Sequence, residues 1–270
     1  MSSQPKSGGN SKAIFAGIVI PAALIIAFLI FKFILGNPAN FMENNPENLP
    51  LPGNYLGTIY KGGFIVPILM ALLLIVITFS IERFITINSS KGKGSVDSFV
   101  NKIRSLVSKG DMNGASAECD RQKGSIANVV KEGLKMYKHM EEDKELDKER
   151  KILAIQKELE EATTLELPML SKNLVIISTI ASIATLMGLL GTVIGMIRAF
   201  AALAQAGAPD AVALSTGISE ALINTALGIG TSALAIVMYN YFTNKIDVIT
   251  YGIDEAGYSI VQTFSATHKV

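Results

Sequence analysis

The chain has 270 residues, with 24 basic and 23 acidic side chains that give a formal net charge of +1. Hydrophobic residues make up 49% of it, and its mean hydropathy of +0.39 is higher than soluble domains of this size usually show. This composition predicts a protein integral to a membrane. The near-neutral charge argues against a nucleic-acid-binding protein, which normally carries a basic face.

Cysteine and histidine are too scarce for a disulfide or a metal site. Cys119 is the single cysteine, and the two histidines, His139 and His268, stand in polar surroundings. One cysteine excludes both an intramolecular disulfide and a cysteine metal cluster. The chain also lacks a nucleophile elbow, a Walker loop and a His-Glu-x-x-His motif. We therefore expect no catalytic residues, no metal and no cofactor.

Four apolar segments are long enough to cross a membrane. At 1.5 Å per residue each can span about 30 Å of hydrocarbon, and they cover residues 13–35, 62–80, 174–197 and 211–242. They predict an all-α membrane protein with four transmembrane helices. The first segment has an uncharged run longer than the roughly 7–15 apolar residues of a signal peptide. We therefore expect a retained anchor, with a signal peptide as the alternative.

The loops between these segments differ in charge. Residues 88–168 are rich in Lys and Arg, whereas residues 36–61 and 205–210 carry almost none. The positive-inside rule then places residues 88–168 and both termini in the cytoplasm. Residues 36–61 contain several Pro and Asn dipeptides, which predict turns and extended chain without chemistry.

The cytoplasmic residues show helical patterns. Apolar residues recur at helical spacing over residues 95–108, and Gly110-Asp111 ends that helix and starts another. The charged run 140–161 predicts a solvated helix that continues into the third span, with a perturbation at Pro168. The expected domains are an N-terminal anchor and periplasmic loop (1–61), a first core transmembrane helix (62–87), a cytoplasmic helical domain (88–173), a transmembrane hairpin (174–245) and a cytoplasmic C-terminal tail (246–270).

Glu220 is the only acid between residues 211 and 242. A carboxylate inside a membrane is costly unless it faces protein or a water-filled path. If the helix begins near Pro209, Glu220 lies about 15 Å along it, close to the middle of the bilayer. Two roles stay open: a part in ion translocation or in seating a charged partner, and a protonated, structural hydrogen bonder.

The rest of the fourth span is two-sided. One arc, about half of the helix circumference, collects small and polar residues, namely Thr216, Gly217, Glu220, Ala221, Asn224, Thr225, Gly228, Thr231, Ser232 and Ala235. The other side carries Ile218, Leu222, Ile229, Ile236 and Val237. The polar arc is expected to be wet or packed on protein, while the apolar side meets lipid.

The third span has a matching stripe around Thr192. Counting about 100° per residue, the stripe comprises Ser178, Ala181, Thr185, Gly188, Thr192, Gly195 and Ala199. Small residues allow transmembrane helices to approach closely, and Gly191 and Gly195 form a small-xxx-small pair. Helix packing and pore lining both fit this stripe.

Two sequence motifs resemble a known family. Gly188-Leu-Leu-Gly-Thr192-Val-Ile-Gly195-Met and Gly217-Ile-Ser-Glu220-Ala-Leu-Ile-Asn-Thr225-Ala-Leu-Gly228 are similar to the ExbB/TolQ/MotA proton-channel family, above all to ExbB and TolQ. Glu82-Arg83 at the end of the second span adds to the resemblance, which covers residues 62–245.

The resemblance implies a fold and a set of partners. It implies a three-helix ExbB-like core, here with an extra N-terminal span, and long helices that extend into the cytoplasm. Five copies would surround a central pore in the inner membrane of a Gram-negative bacterium. A dimer of single-span ExbD/TolR-type proteins would sit in that pore, and a TonB-type protein and membrane lipids would be further partners.

The resemblance also implies site residues and a function. Thr192, Glu220 and Thr225 would line the proton pathway, with Asn224 beside them on the polar arc. Gly188, Gly191, Gly195 and Gly228 are expected at helix contacts. The leading hypothesis is a motor subunit that uses the proton motive force to energise TonB-dependent outer-membrane transport. Alternatives are a TolQ-type envelope protein, a MotA-like stator and a non-conducting membrane scaffold.

Overall fold

The computed structural model describes residues 9–204 and 210–267. These residues are mainly helical, and the helices are α1 (Gly9–Leu29), α2 (Tyr55–Tyr60), α3 (Ile65–Lys91), α4 (Val96–Ser108), α5 (Met112–Gln122), α6 (Gly124–Glu142), α7 (Lys148–Ser171), α8 (Leu174–Leu203) and α9 (Ala211–Thr267). Within the described ranges the backbone forms no β-strand, although Phe41 and Pro50 make an isolated antiparallel bridge.

The chain divides into two compact units. The first comprises the described parts of Met1–Ile81 and Val175–Tyr239, and the second those of Glu82–Leu174 and Asn240–Val270. Four helical segments are long and apolar enough to cross a membrane, in agreement with the four predicted spans. They begin at Gly17, Ile65, Lys148 and Ala211.

Large apolar side chains cover the outside of the first unit. Examples from α1, α3, α8 and α9 are Ile18, Ile25, Ile77, Ile81, Leu186, Leu189, Val193, Ile197, Leu222, Ile229 and Val237. An apolar surface of this extent is unfavourable in water but suits a helix surrounded by lipid. The apolar side predicted for the fourth span is therefore the side that faces outward.

Residues 36–61 are more ordered than the predicted turns and extended chain. They contain two 3₁₀ turns and the short helix α2. The amide of Asn40 donates to the carbonyl oxygens of Ile34 at 2.8 Å and Leu35 at 3.0 Å, and Asn54 donates to the Asn40 side chain at 3.0 Å. The Lys61 amine donates to the carbonyls of Pro46 and Glu47, both at 2.9 Å. Side-chain hydrogen bonds thus stabilise the parts of this segment that lie outside its short helices.

The second unit has an apolar core made by α4–α7 and the final part of α9. Its buried side chains include Val100, Ile103, Ile126, Val130, Leu134, Ile155, Leu159, Ile249, Ile253, Ile260 and Phe264. The helix predicted over residues 95–108 is confirmed, with Ser95 as its N-cap accepting from the Ser98 amide at 3.0 Å. Asp111 caps α5, because its carboxylate accepts from the Gly114 amide at 2.8 Å. A new helix therefore begins after Gly110-Asp111, as predicted.

Three helix boundaries differ from the sequence-based predictions. The charged run 140–161 is not one helix, because Asp143 accepts from the amides of Glu145 and Leu146 at 2.8 Å, and Asp147 caps α7. The helix predicted to continue through Pro168 is interrupted at Lys172 and Asn173, where Asn173 has a φ of 67°. The segment after residue 245, predicted as a tail, stays helical to Thr267.

A buried cation stands at the end of α7. The Arg83 side chain is 0% exposed, and its Nη1 donates to the carbonyls of Met169 and Leu170, both at 3.2 Å. Its Nε donates to Glu82 at 2.6 Å, and the Asn173 amide donates to the same carboxylate at 3.3 Å. Arg83 thereby satisfies carbonyls that the end of α7 leaves without helical partners.

The second unit also holds a partly buried ion pair and a buried thiol. Glu118 accepts from Lys102 at 2.8 Å and from Arg121 at 2.6 Å. Burial alone would raise the pKa of the Glu118 carboxyl, but the two cations outweigh burial and hold that pKa below its ordinary value. Burial and the nearby Asp120 raise the pKa of the Cys119 thiol to about 12, which keeps the thiol neutral near pH 7.

Candidate functional site

Helices α8 and α9 lie backbone to backbone. A Cβ added at Gly195 would lie 2.7 Å from the Ala221 nitrogen and the Gly217 oxygen, and one at Gly228 would lie 2.8 Å from the Cα of Gly188. One at Gly191 would lie 2.4 Å from the Asn224 Cβ. The structure thus places the four predicted packing glycines at this helix contact, and it adds Gly217, which the sequence analysis did not select for packing.

The polar arc of α9 faces the interior of the chain. Its buried members are Gly217, Glu220, Ala221, Asn224, Gly228, Thr231, Ser232 and Ala235, whereas Thr216 and Thr225 are partly exposed. The hydroxyl of Ser232 donates to the carbonyl of Ala181 on α8. Of the two surroundings predicted for this arc, water or protein, the structure of the single chain shows protein.

Glu220 forms an ion pair with Arg198 of α8. Nη1 of Arg198 lies 2.8 Å from both carboxylate oxygens. The Glu220 side chain is 4% exposed and that of Arg198 is 54% exposed. A carboxylate removed from water needs such a counter-charge, because its desolvation costs several kcal/mol. The pair supplies this charge from within the same chain.

A glycine turn before α3 closes the other side of the ion pair. Gly63 has a φ of 76°, and a Cβ there would lie 2.5 Å from Oε1 of Glu220 and 3.5 Å from Nη1 of Arg198. Only glycine combines this backbone conformation with so close an approach. The side-chain amide of Asn224 donates to the carbonyl of Gly62 at 2.8 Å and holds the turn in place.

Thr192 and Thr225 form a separate cluster. Their hydroxyls hydrogen-bond to each other across the helix contact. Each hydroxyl has one proton, so one donates to the other, and the accepting hydroxyl can donate to its own helix: the Gly188 carbonyl lies 3.2 Å from Thr192 Oγ1 and the Ala221 carbonyl 3.1 Å from Thr225 Oγ1. Both side chains are partly exposed, which leaves this cluster accessible from the surface of the hairpin.

The four predicted pathway residues therefore occupy three settings. Thr192 and Thr225 are paired, Asn224 is fully buried against the glycine turn, and Glu220 contacts Arg198. Glu220 and Thr225 stand about 140° apart around the axis of α9 at 100° per residue. No hydrogen bond joins Glu220 to either threonine among the residues that the structure describes. Their roles in an ion pathway stay predictions.

Arg198 and Gly63 are the site residues that the sequence analysis missed. Arg198 is the only charged residue of α8, and Glu220 is the only acid in the apolar part of α9. Two lone opposite charges on consecutive antiparallel helices are a signal for a pair, because an unpaired charge there is costly. The positive φ of Gly63, in contrast, leaves no trace in the sequence beyond the glycine itself.

The described residues contain no group of three or more His, Cys, Asp or Glu side chains placed to hold a metal ion. The polar groups described at the contact between α8 and α9 are hydroxyls, the Asn224 amide and the Arg198–Glu220 ion pair. Such groups can transfer protons, hold water or coordinate a monovalent cation.

Comparison with known proteins finds relatives that are named ExbB and TolQ. A biopolymer transport protein ExbB homolog of Methanothermobacter thermautotrophicus is 27% identical over 154 residues, which are 57% of this chain and 50% of the relative. The biopolymer transport protein ExbB of Helicobacter pylori is 40% identical over 81 residues, 30% of this chain and 56% of the relative. The Tol-Pal system protein TolQ of Pseudomonas aeruginosa is 22% identical over 157 residues, 58% of this chain and 68% of the relative.

The chain thus spans about half the length of the two ExbB relatives. The family model for the MotA/TolQ/ExbB proton channel family matches residues 121–255, half of the chain. This range contains both intramembrane motifs, the ion pair of Arg198 and Glu220, and the Thr192–Thr225 cluster. The chain belongs to the MotA/TolQ/ExbB proton channel family.

Proposed function

We propose that this protein is the channel-forming subunit of a proton-driven motor of the inner membrane. The observation that carries the proposal is the buried carboxylate of Glu220, held inside the segment that matches the proton channel family. Ionisable groups kept within a membrane despite their cost mark ion pathways. The partly exposed hydroxyls of Thr192 and Thr225 are the polar groups that an adjacent pore or partner would meet first.

The assembly proposed for this motor follows from the family resemblance. Five copies surround a pore, and a dimer of ExbD/TolR-type single-span proteins occupies it. The exposed apolar surfaces of α8 and α9 are compatible with packing against further helices. The excess of Lys and Arg between the second and third spans supports cytoplasmic termini and an inner-membrane orientation.

The work that this motor performs is proposed to be the energisation of TonB-dependent outer-membrane transport. The chain offers no nucleotide-binding motif in its sequence, so an ion gradient is the simplest energy source. The match to TolQ supports a second candidate within the family, a subunit for envelope maintenance, and a MotA-like stator is a third.

A non-conducting scaffold is the candidate from a different class. It is favoured by one observation, the burial of Asn224 and Ser232 with hydrogen bonds to backbone carbonyls. Those side chains act as structural links in the single chain. The scaffold hypothesis extends this structural role to Glu220 as well.

The first test is gentle purification from native membranes, followed by native mass spectrometry. The proposal predicts five copies of this chain together with a small single-span protein that carries an acidic residue in its span. A TonB-type or a Tol-type third component then identifies the process that the motor drives. A symmetric assembly without any single-span partner would contradict the motor and favour the scaffold.

A further inference from the structure

The turn that closes the Glu220 site has no side chain of its own to hold it in place. It consists of Gly62 and Gly63, and Gly63 has a φ of 76°. A Cβ at Gly63 would lie 2.5 Å from Oε1 of Glu220, so the backbone itself forms this wall of the site. Glycine restricts its own backbone less than any other residue. The position of the turn is therefore set by the residues that flank it and by those that contact it.

One end of the turn is held by α9, the helix that carries Glu220. The side-chain amide of Asn224 donates to the carbonyl of Gly62 at 2.8 Å. A Cβ at Gly62 would lie 3.0 Å from Cγ2 of Ile223, so the turn also packs on this helix. These contacts fix the turn at Gly62, and the chain that leads into it needs a second support.

The second support is the ring of Tyr60. The Tyr60 carbonyl accepts from the Gly63 amide at 3.1 Å, so the residue is part of the entry to the turn. Its ring stacks on Phe31 with 4.7 Å between the ring centroids and meets Phe41 edge to face at 5.4 Å. A Cβ at Gly36 would lie 2.6 Å from Cε2 of the ring. Aromatic contacts of this kind stabilise beyond the area that they bury, and they enclose the Tyr60 ring.

The next residue, Lys61, is fixed to the same segment. Its amine donates to the carbonyls of Pro46 and Glu47, both at 2.9 Å, and lies 5.6 Å from the centroid of the Phe41 ring. Residues 30–61, which we call the N-terminal clamp, thus contact both residues that lead into the turn. The clamp continues directly from α1, and α1 is attached to α3 by an edge-to-face contact of 5.9 Å between Phe15 and Phe79.

The clamp lies outside the part of the chain that matches the family, which is residues 121–255. Glu220 and Asn224 belong to that part, whereas the turn and the residues that lead into it do not. One wall of the Glu220 site is therefore held by a segment that this chain adds to the matched region.

We propose that Tyr60 is a positioning residue, through which the N-terminal clamp holds the Gly62-Gly63 turn over Glu220. Tyr60 acts through the turn, and the additional N-terminal span thereby gains a role at the site besides anchoring the chain. The importance of a fixed turn for ion passage rests on the proposed function. The mechanical link from Tyr60 to the turn does not.

The mechanical link is tested by a double-mutant cycle that measures thermal unfolding of the full-length protein in detergent. Asn224→Ala removes the hydrogen bond to Gly62 and should lower the unfolding midpoint. In Tyr60→Leu the entry to the turn is no longer held, so adding Asn224→Ala is expected to lower the midpoint by less than it does in the wild type. Equal losses in the two backgrounds would overturn the proposal.

Three further variants show whether the ring of Tyr60 is responsible. Ser232→Ala should cost the same in both backgrounds, because Ser232 donates to Ala181 of α8 and not to the turn. Tyr60→Phe keeps the ring and should leave the loss caused by Asn224→Ala as large as in the wild type. Tyr55→Leu is the matched control, since Tyr55 belongs to the same short helix and is 81% exposed. A Tyr60→Phe variant that behaves like Tyr60→Leu would overturn the proposal.

If Tyr60→Leu does not fold, Gly36→Ala takes its place in the cycle. The added methyl group would displace the Tyr60 ring, because it would lie 2.6 Å from Cε2. Gly36→Ala is then expected to reduce the loss caused by Asn224→Ala in the same way. An unreduced loss would overturn the proposal.

Proton flux through the assembly in liposomes tests the importance of the turn for ion passage. Tyr60→Leu should lose most of the flux with the assembly intact, because a site whose groups shift by about 1 Å can lose most of its activity. Tyr60→Phe and Tyr55→Leu should keep the flux. Wild-type flux in Tyr60→Leu would overturn the proposal. If the wild type does not conduct, the proposed function fails, and the double-mutant cycle still decides whether Tyr60 holds the turn.

Discussion

The two units of this chain are built from the same kind of helix but with opposite arrangements of side chains. In the first unit the polar residues Glu220, Asn224 and Ser232 are buried, and large apolar side chains cover the outside. In the second unit the apolar side chains are buried and most Lys and Glu residues are exposed. The two arrangements differ because the surroundings differ. In water the hydrophobic effect drives apolar side chains into the interior, whereas in lipid it does not drive helices together.

The contacts that join the helices differ accordingly. In the first unit, glycines bring α8 and α9 to backbone contact, and polar groups bridge them. In the second unit, apolar side chains fill the space between helices, as where Leu159 packs on Gly133. Arg83 is an exception, a fully buried cation in a unit whose buried side chains are mainly apolar.

Arg83→Ala is expected to produce the largest loss of stability. Removing one partner of a buried, hydrogen-bonded charge pair costs about 3–5 kcal/mol, and here it also frees the carbonyls of Met169 and Leu170. Thermal unfolding in detergent measures the loss. Arg104→Ala is the control, because Arg104 is an exposed cation of the same unit. Equal unfolding midpoints for the two variants would contradict the role assigned to Arg83.

Shortening a buried apolar side chain should lower the stability of the second unit, whereas shortening one on the outside of the first unit should hardly change stability. Ile260 is 0% exposed, and truncating a core isoleucine to alanine costs about 2–5 kcal/mol. Leu222 is 66% exposed, so Leu222→Ala removes few protein contacts. Thermal unfolding of Ile260→Ala and Leu222→Ala compares them. A larger loss for Leu222→Ala would show that its surface is an interface within the assembly.

Adding one methyl group should distinguish two glycines of the same helix. Gly228→Ala forces the Cβ against the backbone of α8, and overpacking of this kind costs about 1–3 kcal/mol. Gly230 has open space around it, so Gly230→Ala is expected to be neutral or slightly stabilising through its helix propensity. Thermal unfolding of both variants measures the difference. Equal losses would mean that α8 and α9 are not in backbone contact there.

The smallest expected effect is a pH dependence in the second unit. The folded-state pKa of Glu118 lies below its ordinary value of 4.5. Its contribution to the free energy of unfolding is therefore present above pH 4.5 and is lost as the pH falls through the lowered pKa. Unfolding measured against pH should be less acid-sensitive in Glu118→Gln than in the wild type. Identical curves would contradict a stabilising role for this carboxylate.

The sequence predicts the long helices and their apolar sides well, because the spacing of apolar residues depends on whether a helix face contacts water, lipid or protein. The four long helices, the helix over residues 95–108 and the outward apolar side of the fourth span are present in the structure. The interruptions near Asp143 and at Asn173 were missed. They depend on side-chain capping and on one positive φ, which local composition specifies only weakly.

Only part of the candidate site could be selected from the sequence, since Arg198, Gly63 and the pairings between residues were not predicted. The predicted pathway residues were selected from one arc of α9 and one stripe of α8, and they are Thr192, Glu220, Asn224 and Thr225. A helical wheel gives angles around one helix axis only, so it does not predict contacts between two helices. The pairing of Glu220 with Arg198 depends on how α8 and α9 are aligned, and the approach of Gly63 depends on a turn more than 150 residues away in sequence. Contacts of that kind require the three-dimensional structure.

The most direct test of this account is proton flux through the purified assembly in liposomes, comparing the wild type with Glu220→Gln. Glutamine keeps the size of the side chain and removes its charge and its exchangeable acid group. The account predicts a proton flux in the wild type, driven by an imposed pH gradient, and its loss in Glu220→Gln with the assembly intact. Equal flux in the two proteins, or none in either, would contradict the central role of Glu220.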